Sequence, residues 1–437
     1  MRRLEFLKLY IVVLGCPKNE ADFALFKHHI KQHGHEIVDD LDEADAVVID
    51  TCGFILDAKQ ESIDTVLEFV EHKRKQQKEG RDFKIFVTGC LVQRYPKELP
   101  VEIPEVDGWF GVLPPKVLAD NLEKTKKYVT DPIAVYDFEG RIDDDLPYAY
   151  VKIADGCDRA CTFCTIPKFK GGFVSRKLED IVKEVKHLVA HGKKEIILVA
   201  QDTTGYGVDL YGKSMLPELL KQLNDIPGDF WIRVMYMHPD HVTDEILEGF
   251  SYQKVVKYFD IPVQHGSEKI LKLMNRTKTP EELEDLFEKI RTMYPEAVLR
   301  TSVIIGFPGE TSQDFEELLE FIRRVEFDKL GAFVYSDEED APSYKLPHKV
   351  RPSTAQKRLD QLMEAQAEIS FIRNQRYVGK VIDVLIEEEA SGVLIGRGYM
   401  DAPEIDGNVF FKGSNLKGFV RVKITEADTY DLEGELV

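Results

Sequence analysis

The sequence lacks any long hydrophobic run. No apolar stretch in its 437 residues approaches the ~18 residues that a membrane-spanning helix needs. The N-terminal stretch MRRLEFLKLYIVVLGC loosely resembles a lipoprotein signal, but Lys8 interrupts its apolar part. We therefore expect no membrane attachment, and we interpret Leu9 to Leu14 as a first β-strand that is buried on both faces.

Positive charge is also in deficit. The chain has 58 Lys and Arg against 78 Asp and Glu, which gives a formal net charge of −20 at pH 7. Nonspecific attraction to nucleic acid is disfavoured, because a phosphate backbone needs a cationic partner. A basic protein suits this field better, and we do not expect tight nucleic-acid binding.

Cysteine is scarce, with six residues in the chain: Cys16, Cys52, Cys90, Cys157, Cys161 and Cys164. With no credible signal peptide we expect a reducing, cytoplasmic location, so a disulfide framework is disfavoured. Thiols in such a protein bind metal, take part in chemistry or simply pack.

Residues 1–136 alternate short apolar runs with amphipathic helical patterns. LYIVVLG, ADAVVID and FKIFVTG read as strands, and helical patterns follow the first two, at EADFALFKHHIKQHG and from Asp57 to about Lys75. Continuous apolar strands separated by helices predict a doubly wound parallel sheet of the α/β class.

Three cysteines occupy matched positions in this domain. Cys16, Cys52 and Cys90 each follow on the end of a predicted strand. The carboxyl ends of strands form the ligand crevice of an open α/β sheet, so we predict that these thiols converge on one site. For each cysteine alone, the alternative is a small buried residue that fills space.

A second series of strand and helix patterns follows the polar segment DFEGRIDDDLP (137–147), which reads as a linker, and occupies about 143–350. Six runs read as strands: AYVKIAD, EIILVAQD, WIRVMYMHP, KYFDIPVQ, VLRTSVIIGFPG and LGAFVYS. Repeated right-handed βα units predict a partial or full barrel with its active site at the strand carboxyl ends. Polar residues follow these strands: Gln201, Asp202, His238, Gln264, His265, Glu310 and Ser336.

The C-terminal part changes character. Residues 351–375 form a strongly helical connector, and 376–437 are short, β-rich and Gly-punctuated, as in a small antiparallel β-barrel of the OB-like type. Such barrels often bind RNA. From Arg376 onward the chain has seven Lys and Arg and twelve Asp and Glu. This excess of negative charge makes the barrel poorly suited to bind a phosphate backbone.

The stretch DGCDRACTFCTIP (155–167) places Cys157, Cys161 and Cys164 within eight residues. A zinc site usually needs four ligands, and the closest downstream histidine, His187, lies inside a helical pattern. A four-iron cluster normally takes four thiolates. Three thiolates would leave one iron open to a substrate or cofactor.

This C-x3-C-x2-C spacing after the first barrel strand resembles the radical S-adenosylmethionine (SAM) superfamily, and Phe163 before the third cysteine also matches. The resemblance implies that Cys157, Cys161 and Cys164 hold a 4Fe-4S cluster whose open iron binds SAM. An electron from the cluster would cleave SAM to a 5′-deoxyadenosyl radical, which abstracts hydrogen from an unactivated carbon.

The stretches LGCPKNEAD, DTCGFI and TGCLVQRY resemble the methylthiotransferases of this superfamily, over essentially the whole chain. The resemblance implies a second 4Fe-4S cluster on Cys16, Cys52 and Cys90, and a TRAM domain at 376–437. One SAM would methylate a sulfide or polysulfide sulfur at the open iron of this cluster, and another would yield the radical. Both open irons would face one cavity, with the N-terminal domain capping the barrel mouth.

One branch of these enzymes modifies adenosine in transfer RNA, and the other modifies the β-carbon of an aspartate in small-subunit ribosomal protein S twelve. The stretches AQDTTGYG, RVMYMHPDH, PVQHGSEKILKLMNR and RTSVIIGFPGET resemble the second branch, and net charge agrees. We expect a monomer that binds this protein through the acidic TRAM domain and the barrel mouth, with an external electron donor. The alternatives are the transfer-RNA enzyme and a non-catalytic iron–sulfur or zinc module.

The resemblance has two gaps. GGFVSRK is less arginine-rich than the family pattern, although Arg176 remains, and YSDEEDAPSYK lacks the glycine expected after its acidic pair. Neither gap touches a predicted cluster ligand.

Further cofactor contacts are predicted at the barrel rim. Gln201, Asp202 and Thr203 end the second strand and either hydrogen-bond SAM or form a turn. Arg233 lies inside an apolar strand, where an unpaired charge is costly, so it either reaches the SAM carboxylate or pairs with a buried acid.

The ends of the fourth and fifth predicted strands add three more contacts. We predict that Gln264 contacts the cofactor, whereas its neighbour His265 is a structural, hydrogen-bonded histidine. Gly306 and Phe307 begin the turn GFPGE, where glycine either allows a nucleoside to approach the backbone or forms a tight strand-to-helix turn.

Overall fold

The computed structural model describes residues 6–132 and 137–437. The N-terminal arginines of the signal-like stretch and the domain end predicted at residue 136 lie outside these ranges. Within them, no helix is both long and apolar enough to cross a membrane.

The N-terminal domain is a six-stranded parallel sheet in the order β2-β1-β3-β4-β5-β6. Its strands are β1 (Lys8–Val13), β2 (Glu36–Ile37), β3 (Ala46–Thr51), β4 (Lys84–Gly89), β5 (Gly108–Phe110) and β6 (Lys127–Tyr128). Its helices are α1 (Pro17–Gln32), α2 (Leu56–Lys78), α3 (Cys90–Arg94), α4 (Leu99–Glu102) and α5 (Pro115–Asn121). Apolar clusters cover both faces of the sheet, which confirms the doubly wound prediction.

Strand order reverses between β1 and β3, which pair in parallel. Such a reversal opens a crevice at the strand carboxyl ends, since the connections leave on opposite faces. Cys16 and Cys52 follow these two strands, and Cys90 follows the next one, β4.

The central domain is an open barrel of six parallel strands. These strands are β7 (Tyr148–Lys152), β10 (Glu195–Val199), β11 (Trp231–Val234), β12 (Tyr258–Asp260), β13 (Val298–Ile305) and β14 (Lys329–Val334). They form two three-stranded sheets, β11-β10-β7 and β12-β13-β14, and a parallel bridge from Ile232 to Val255 joins them. The antiparallel pair β8 (Ala154–Asp155) and β9 (Val174–Ser175) closes the loop that carries Cys157, Cys161 and Cys164.

Helix α6 (Ile166–Lys170) follows the cysteine loop and contacts the N-terminal domain. The other helices of this part of the chain are α7 (Leu178–Ala190), α8 (Val208–Tyr211), α9 (Leu216–Asn224), α10 (Asp244–Gly249), α11 (Glu268–Leu273), α12 (Pro280–Met293), α13 (Ser312–Val325) and α14 (Pro352–Gln375). The apolar sides of α7, α9, α12 and α13 cover the outer face of the barrel. Helix α14 is more than a connector, because Leu362 is fully buried in the barrel core and Arg358 pairs with Glu310 at 2.5 Å.

The segment 137–147 is irregular, as a linker should be, but it is fixed to the barrel. Arg141 is buried, and its guanidinium donates to Glu184 at 2.5 Å and to the Tyr150 carbonyl at 3.0 Å. This segment is therefore anchored to the central barrel.

The C-terminal domain is a closed five-stranded barrel in the order β15-β16-β17-β19-β18. Its strands are β15 (Val381–Ala390), β16 (Val393–Arg397), β17 (Val409–Lys412), β18 (Gly418–Ala427) and β19 (Leu432–Leu436). The predicted small β-barrel is confirmed, and four of its five pairings are antiparallel while β17 and β19 run parallel.

The C-terminal barrel packs against the inner face of the central barrel. Ile196 and Leu198 point outward to the helices, whereas Ile197 and Val199 share a core with Val384 and other residues of the C-terminal barrel. Successive strand residues face opposite sides, so the inward-facing set is covered at this end of the barrel.

Candidate functional site

The three N-terminal cysteines lie where strands turn into the loops of the sheet crevice. Cys16 caps α1, Cys52 follows β3, and Cys90 begins α3. A Cβ on Gly53 would lie 2.8 Å from the backbone of Cys90, so glycine lets the Cys52 loop approach α3 closely. The backbone thus brings the Cys52 loop close to Cys90, two of the three cysteines predicted to converge.

Burial disfavours the ionised form of two of these thiols. The pKa of Cys52 is raised to about 11, mainly by burial and to a smaller extent by the charges of Cys16 and Asp50. The pKa of Cys90 is also raised, first by burial, and the charges of Cys16 and Cys52 contribute. The three sulfurs thus act on one another, and a bound metal centre would supply the positive charge that ionised thiolates need.

The second triplet lies in the loop between β8 and β9. Thr162 Oγ1 donates to the Leu273 carbonyl at 2.7 Å, and Asn275 Nδ2 donates to the Ala160 carbonyl at 3.0 Å. Cys157 N donates to the Gly171 carbonyl at 3.1 Å. Burial raises the pKa of Cys164 to about 12. These hydrogen bonds anchor the cysteine loop against the end of α11 and against its own C-terminal part.

The donor sets fit iron–sulfur clusters. Within residues 6–132 and 137–437, no three His, Cys, Asp or Glu side chains converge tightly enough to hold a single metal ion. In a four-iron cluster each thiolate binds a different iron, so the cluster itself spaces the sulfurs. Two sets of three free thiols, of which Cys90 and Cys157 are buried and the other four are half-buried, suit clusters with one open iron.

A chain of buried charges joins the two triplets. Lys152 Nζ lies 2.6 Å from Asp22 on α1 and 2.9 Å from Asp155, which precedes Cys157 by two residues. Lys170, on α6, lies 3.4 Å from the same Asp155 carboxylate. Despite burial, which acts in the opposite sense, Lys152 and Lys170 hold the pKa of Asp155 well below its usual value.

A cation–π contact makes a second link. The Lys18 ammonium, two residues after Cys16, lies 4.3 Å from the ring centroid of Tyr236, which follows β11. Tyr236 has φ 61°, a left-handed conformation that a tyrosine adopts at a cost. The strand ends of the N-terminal domain thus lie over the strand ends of the barrel, as the capping hypothesis requires.

Gln201, Asp202 and Thr203 lie beside the cysteine loop, but protein groups bind much of their polar surface. Gln201 Nε2 donates to Asp155 at 2.8 Å, while its buried Oε1 has no hydrogen-bond partner among the residues that the structure describes. Asp202 accepts from Arg159 at 2.7 Å, and Thr203 Oγ1 donates to the Met235 carbonyl at 2.8 Å. Of the three, Gln201 keeps an acceptor for a ligand.

Phe163 and Phe307 are brought together in one small apolar cluster beneath the cysteine loop. Gln264 is half-buried with φ 75°, and its backbone bonds to Ser302 and Ile304. Gly306 has φ 77°, and its missing Cβ would lie 2.7 Å from Ala355 on α14. The glycine is thus required by the tight turn against α14, which is the structural alternative to a nucleoside contact.

The structure favours the structural alternative for Arg233 over the predicted contact with the SAM carboxylate. Its side chain is fully buried, its Nε lies 2.6 Å from Glu195 Oε1, and its Nη1 donates to the Tyr399 carbonyl at 3.0 Å. Arg397 of the C-terminal barrel binds the other oxygen of Glu195 at 2.7 Å. The guanidinium therefore joins the two barrels, and the structural alternative, a buried acid, is the one observed. His265 likewise has a structural bond, from Ser267 N to its Nδ1 at 2.9 Å.

Two groups of residues near the cysteine sites were not predicted from the sequence. An interdomain clamp consists of Lys59, Arg94 and Tyr95 from the N-terminal domain and of Glu338, Glu339 and Asp340 after β14. Arg94 also donates to the carbonyl of Gly53, which adjoins Cys52, at 2.9 Å. The acidic run was visible in the sequence, but only as a departure from the family pattern. Lys170 likewise gave no signal beyond its place after the cysteine loop.

Comparison with known proteins was made against family models and curated sequences. The model of the radical SAM superfamily matches residues 151–322, that of the uncharacterized protein family UPF0004 matches 8–111, and that of the TRAM domain matches 378–437. The chain is 76% identical to the ribosomal protein uS12 methylthiotransferase RimO of Fervidobacterium nodosum, over 99% of this chain and 100% of the relative. The chain belongs to the RimO methylthiotransferase family.

More distant members agree. Identity to RimO of Thermosipho africanus is 64%, and to RimO of Thermotoga maritima 54%, each over 99% of this chain and 100% of the relative. The predicted family and enzyme class, a radical SAM methylthiotransferase, are confirmed, and iron–sulfur and SAM chemistry belongs to that class.

One solved structure supports the fold alone. The radical SAM methyltransferase TsrM of Kitasatospora setae, with cobalamin and a [4Fe-4S] cluster bound, has a TM-score of 0.56 at 13% identity. The match covers 89% of this chain and 80% of TsrM. Members of the RimO family thus share an architecture with a distant radical SAM enzyme.

Proposed function

We propose that the chain transfers a methylthio group to the β-carbon of an aspartate in ribosomal protein uS12, the protein named in the description of its relatives. The observation that carries this proposal is the meeting of two three-thiol sites at one domain interface, joined by buried charges. A binding module has no need for two such sites facing each other, whereas a reaction that joins a sulfur to a carbon radical needs both.

The Cys157, Cys161 and Cys164 thiols would hold a 4Fe-4S cluster for SAM, and Cys16, Cys52 and Cys90 a second one that carries sulfide or polysulfide. When bound, these groups supply the electron for SAM cleavage and the sulfur that receives the methyl group. Cys90 and Cys157 are buried and the other four thiols are half-buried, which would limit the access of water to a radical. The Lys18 ammonium, two residues after Cys16, lies at the same boundary between the domains.

The remaining rim residues orient the organic cofactor. Gln201 Oε1 offers a buried acceptor, and Phe163 and Phe307 supply apolar packing at the cysteine loop. Arg276 lies 5.9 Å from the Phe163 ring centroid, and its Nη1 bonds to His238 Nε2 at 2.8 Å. These side chains form the wall against which SAM would be positioned.

The partner would be recognised by charge. Eight acids of the C-terminal barrel are exposed, against five exposed Lys and Arg: Asp383, Glu388, Glu389, Glu404, Glu426, Asp428, Glu433 and Glu435. They suit a basic ribosomal protein, and they repel the phosphates of transfer RNA. We propose a cytoplasmic monomer that takes electrons from an external donor.

Two triple variants test the division of labour. Cys16→Ala, Cys52→Ala and Cys90→Ala together should abolish methylthio transfer and keep reductive SAM cleavage, whereas the same change at Cys157, Cys161 and Cys164 should abolish both. Anaerobic iron and sulfide analysis should give two four-iron clusters for the parent and one for each variant. Mass spectrometry of uS12 and of transfer RNA after reaction with SAM and a reductant identifies the substrate. A methylthio mass gain on transfer RNA alone contradicts the proposal.

A further inference from the structure

Lys170 is contributed by the central barrel, yet it lies against the cysteine site of the N-terminal domain. It ends α6, the short helix that begins two residues after Cys164. A cavity of about 30 Å³ is lined by Lys170 together with Asn19, Asp50 and Cys90 of the N-terminal domain. The Lys170 side chain is only 5% exposed, so its ammonium is enclosed at this domain boundary.

The acid beside Lys170 does not explain its burial. Asp155 is already bound by Lys152 at 2.9 Å, by Gly156 N at 2.9 Å and by Gln201 Nε2 at 2.8 Å. At 3.4 Å, Lys170 is the longest of these contacts. Asp155 accepts one of the three hydrogen bonds that an ammonium group can donate. A buried ammonium is costly unless further negative charge lies nearby.

Part of that negative charge belongs to the N-terminal site. Against burial, which lowers it, Asp155 and then Cys90, Asp22 and Cys16 raise the pKa of Lys170 well above its usual value. Among the described residues that line the small cavity beside Cys90, Lys170 is the one cation, and the carboxyl groups of Asp22 and Asp50 line it too. Lys168, two residues earlier on the same helix, has a side chain that is 59% exposed, and its closest carboxylate is 4.0 Å away.

We infer that Lys170 is a positioning residue of the N-terminal cysteine site. Lys170 lies in the segment that follows Cys157, Cys161 and Cys164. Its ammonium offsets the negative charge held by Cys16, Cys52 and Cys90, and the Asp155 carboxylate holds the ammonium in position. This inference rests on the proposed function, in which those cysteines hold a cluster. One cationic side chain thus makes the electronic state of the N-terminal site depend on the docked barrel loop.

The test isolates the N-terminal site. In the full chain with Cys157→Ala, Cys161→Ala and Cys164→Ala, the remaining iron–sulfur signal belongs to Cys16, Cys52 and Cys90. Reduction potential falls when a nearby cation is removed, because net charge sets the potential of such clusters. Lys170→Met should shift the oxidised-to-reduced ratio at a fixed potential about tenfold toward the oxidised form, which is about 59 mV for one electron.

Two matched variants separate charge from packing. Lys168→Met should leave the potential unchanged, and Lys170→Arg should restore it, since arginine keeps the charge. Lys170→Gln keeps a donor for Asp155 and gives the same test if Lys170→Met does not fold. A potential for Lys170→Met or Lys170→Gln equal to that of Lys168→Met would overturn the inference. Absence of any cluster in the parent background would instead overturn the proposed function.

Discussion

The interdomain clamp should carry measurable stability. The Arg94 and Glu338 side chains are each 3% exposed and lie 2.8 Å apart, and Lys59 binds the same carboxylate at 2.6 Å. Loss of one partner of a buried ion pair costs about 3–5 kcal/mol, because the other charge stays buried. We expect about 3 kcal/mol for Glu338→Leu. Arg94→Met should cost less, about 2 kcal/mol, because Lys59 still neutralises Glu338.

The pair should also be coupled. In a double-mutant cycle, the variant with both Arg94→Met and Glu338→Leu should lose about 1.5 kcal/mol less unfolding free energy than the sum of the two single losses. Either change alone already breaks the contact between the two side chains. Arg94 keeps Asp340 at 3.0 Å and the Gly53 carbonyl at 2.9 Å, which limits the coupling. The clamp therefore fixes the Cys52 loop relative to the barrel.

The assay needs a probe confined to one domain, because a chain with several domains need not unfold in a single step. The chain has two tryptophans, Trp109 on β5 and Trp231 on β11. With Trp231→Phe, the fluorescence of buried Trp109 reports the N-terminal domain in urea. Lys97→Met, an exposed change nearby, is the control. Single variants within about 0.5 kcal/mol of the control, or strict additivity, would refute the reasoning.

Three further predictions follow from buried groups. Burial, then the charges of neighbouring acids, raises the pKa of Glu20 from 4.5 to about 7. Folded Glu20 keeps a proton that the unfolded chain loses, so stability falls as pH rises from about 4.5 to about 7, by up to about 3 kcal/mol. Glu20→Gln should flatten this dependence in urea titrations at pH 5 and pH 8. Gly53→Ala should push the Cys52 loop off Cys90 and lower the iron content after anaerobic reconstitution, and unchanged iron would contradict the close approach. Arg233→Met should destabilise the chain by about 3 kcal/mol and change SAM affinity less than twofold in titration calorimetry, whereas lost SAM binding would restore its cofactor role.

Strand-end positions could be predicted because they depend on local pattern. Cys16, Cys52 and Cys90 follow apolar runs that read as parallel strands, and parallel strands deliver their carboxyl ends to one edge. The spacing of Cys157, Cys161 and Cys164 was equally local. Both triplets therefore followed from short stretches of sequence.

Partners distant in sequence could not be predicted. Arg233 meets Glu195, which is 38 residues away, and Tyr399, which is 166 residues away. The sequence offered a buried acid as one of two partners, but which acid it is depends on the docked C-terminal barrel. Arg94 meets Glu338 across 244 residues, and no local pattern records that pairing.

The placement of Glu195 between two arginines has a practical consequence for truncation experiments. Glu195 binds Arg233 of the central barrel and Arg397 of the C-terminal barrel, and Lys329 binds Asp401 at 2.6 Å across the same boundary. A chain that stops before Arg376 would expose the inner face of the central barrel to water. The buried charges of Glu195 and Lys329 would also lose their partners in the C-terminal barrel. Inactivity of such a chain would report a damaged barrel and would say nothing about recognition. Substitution of the outward-facing acids Glu388 and Glu389 separates the two effects, because these side chains are exposed and lie away from the seam.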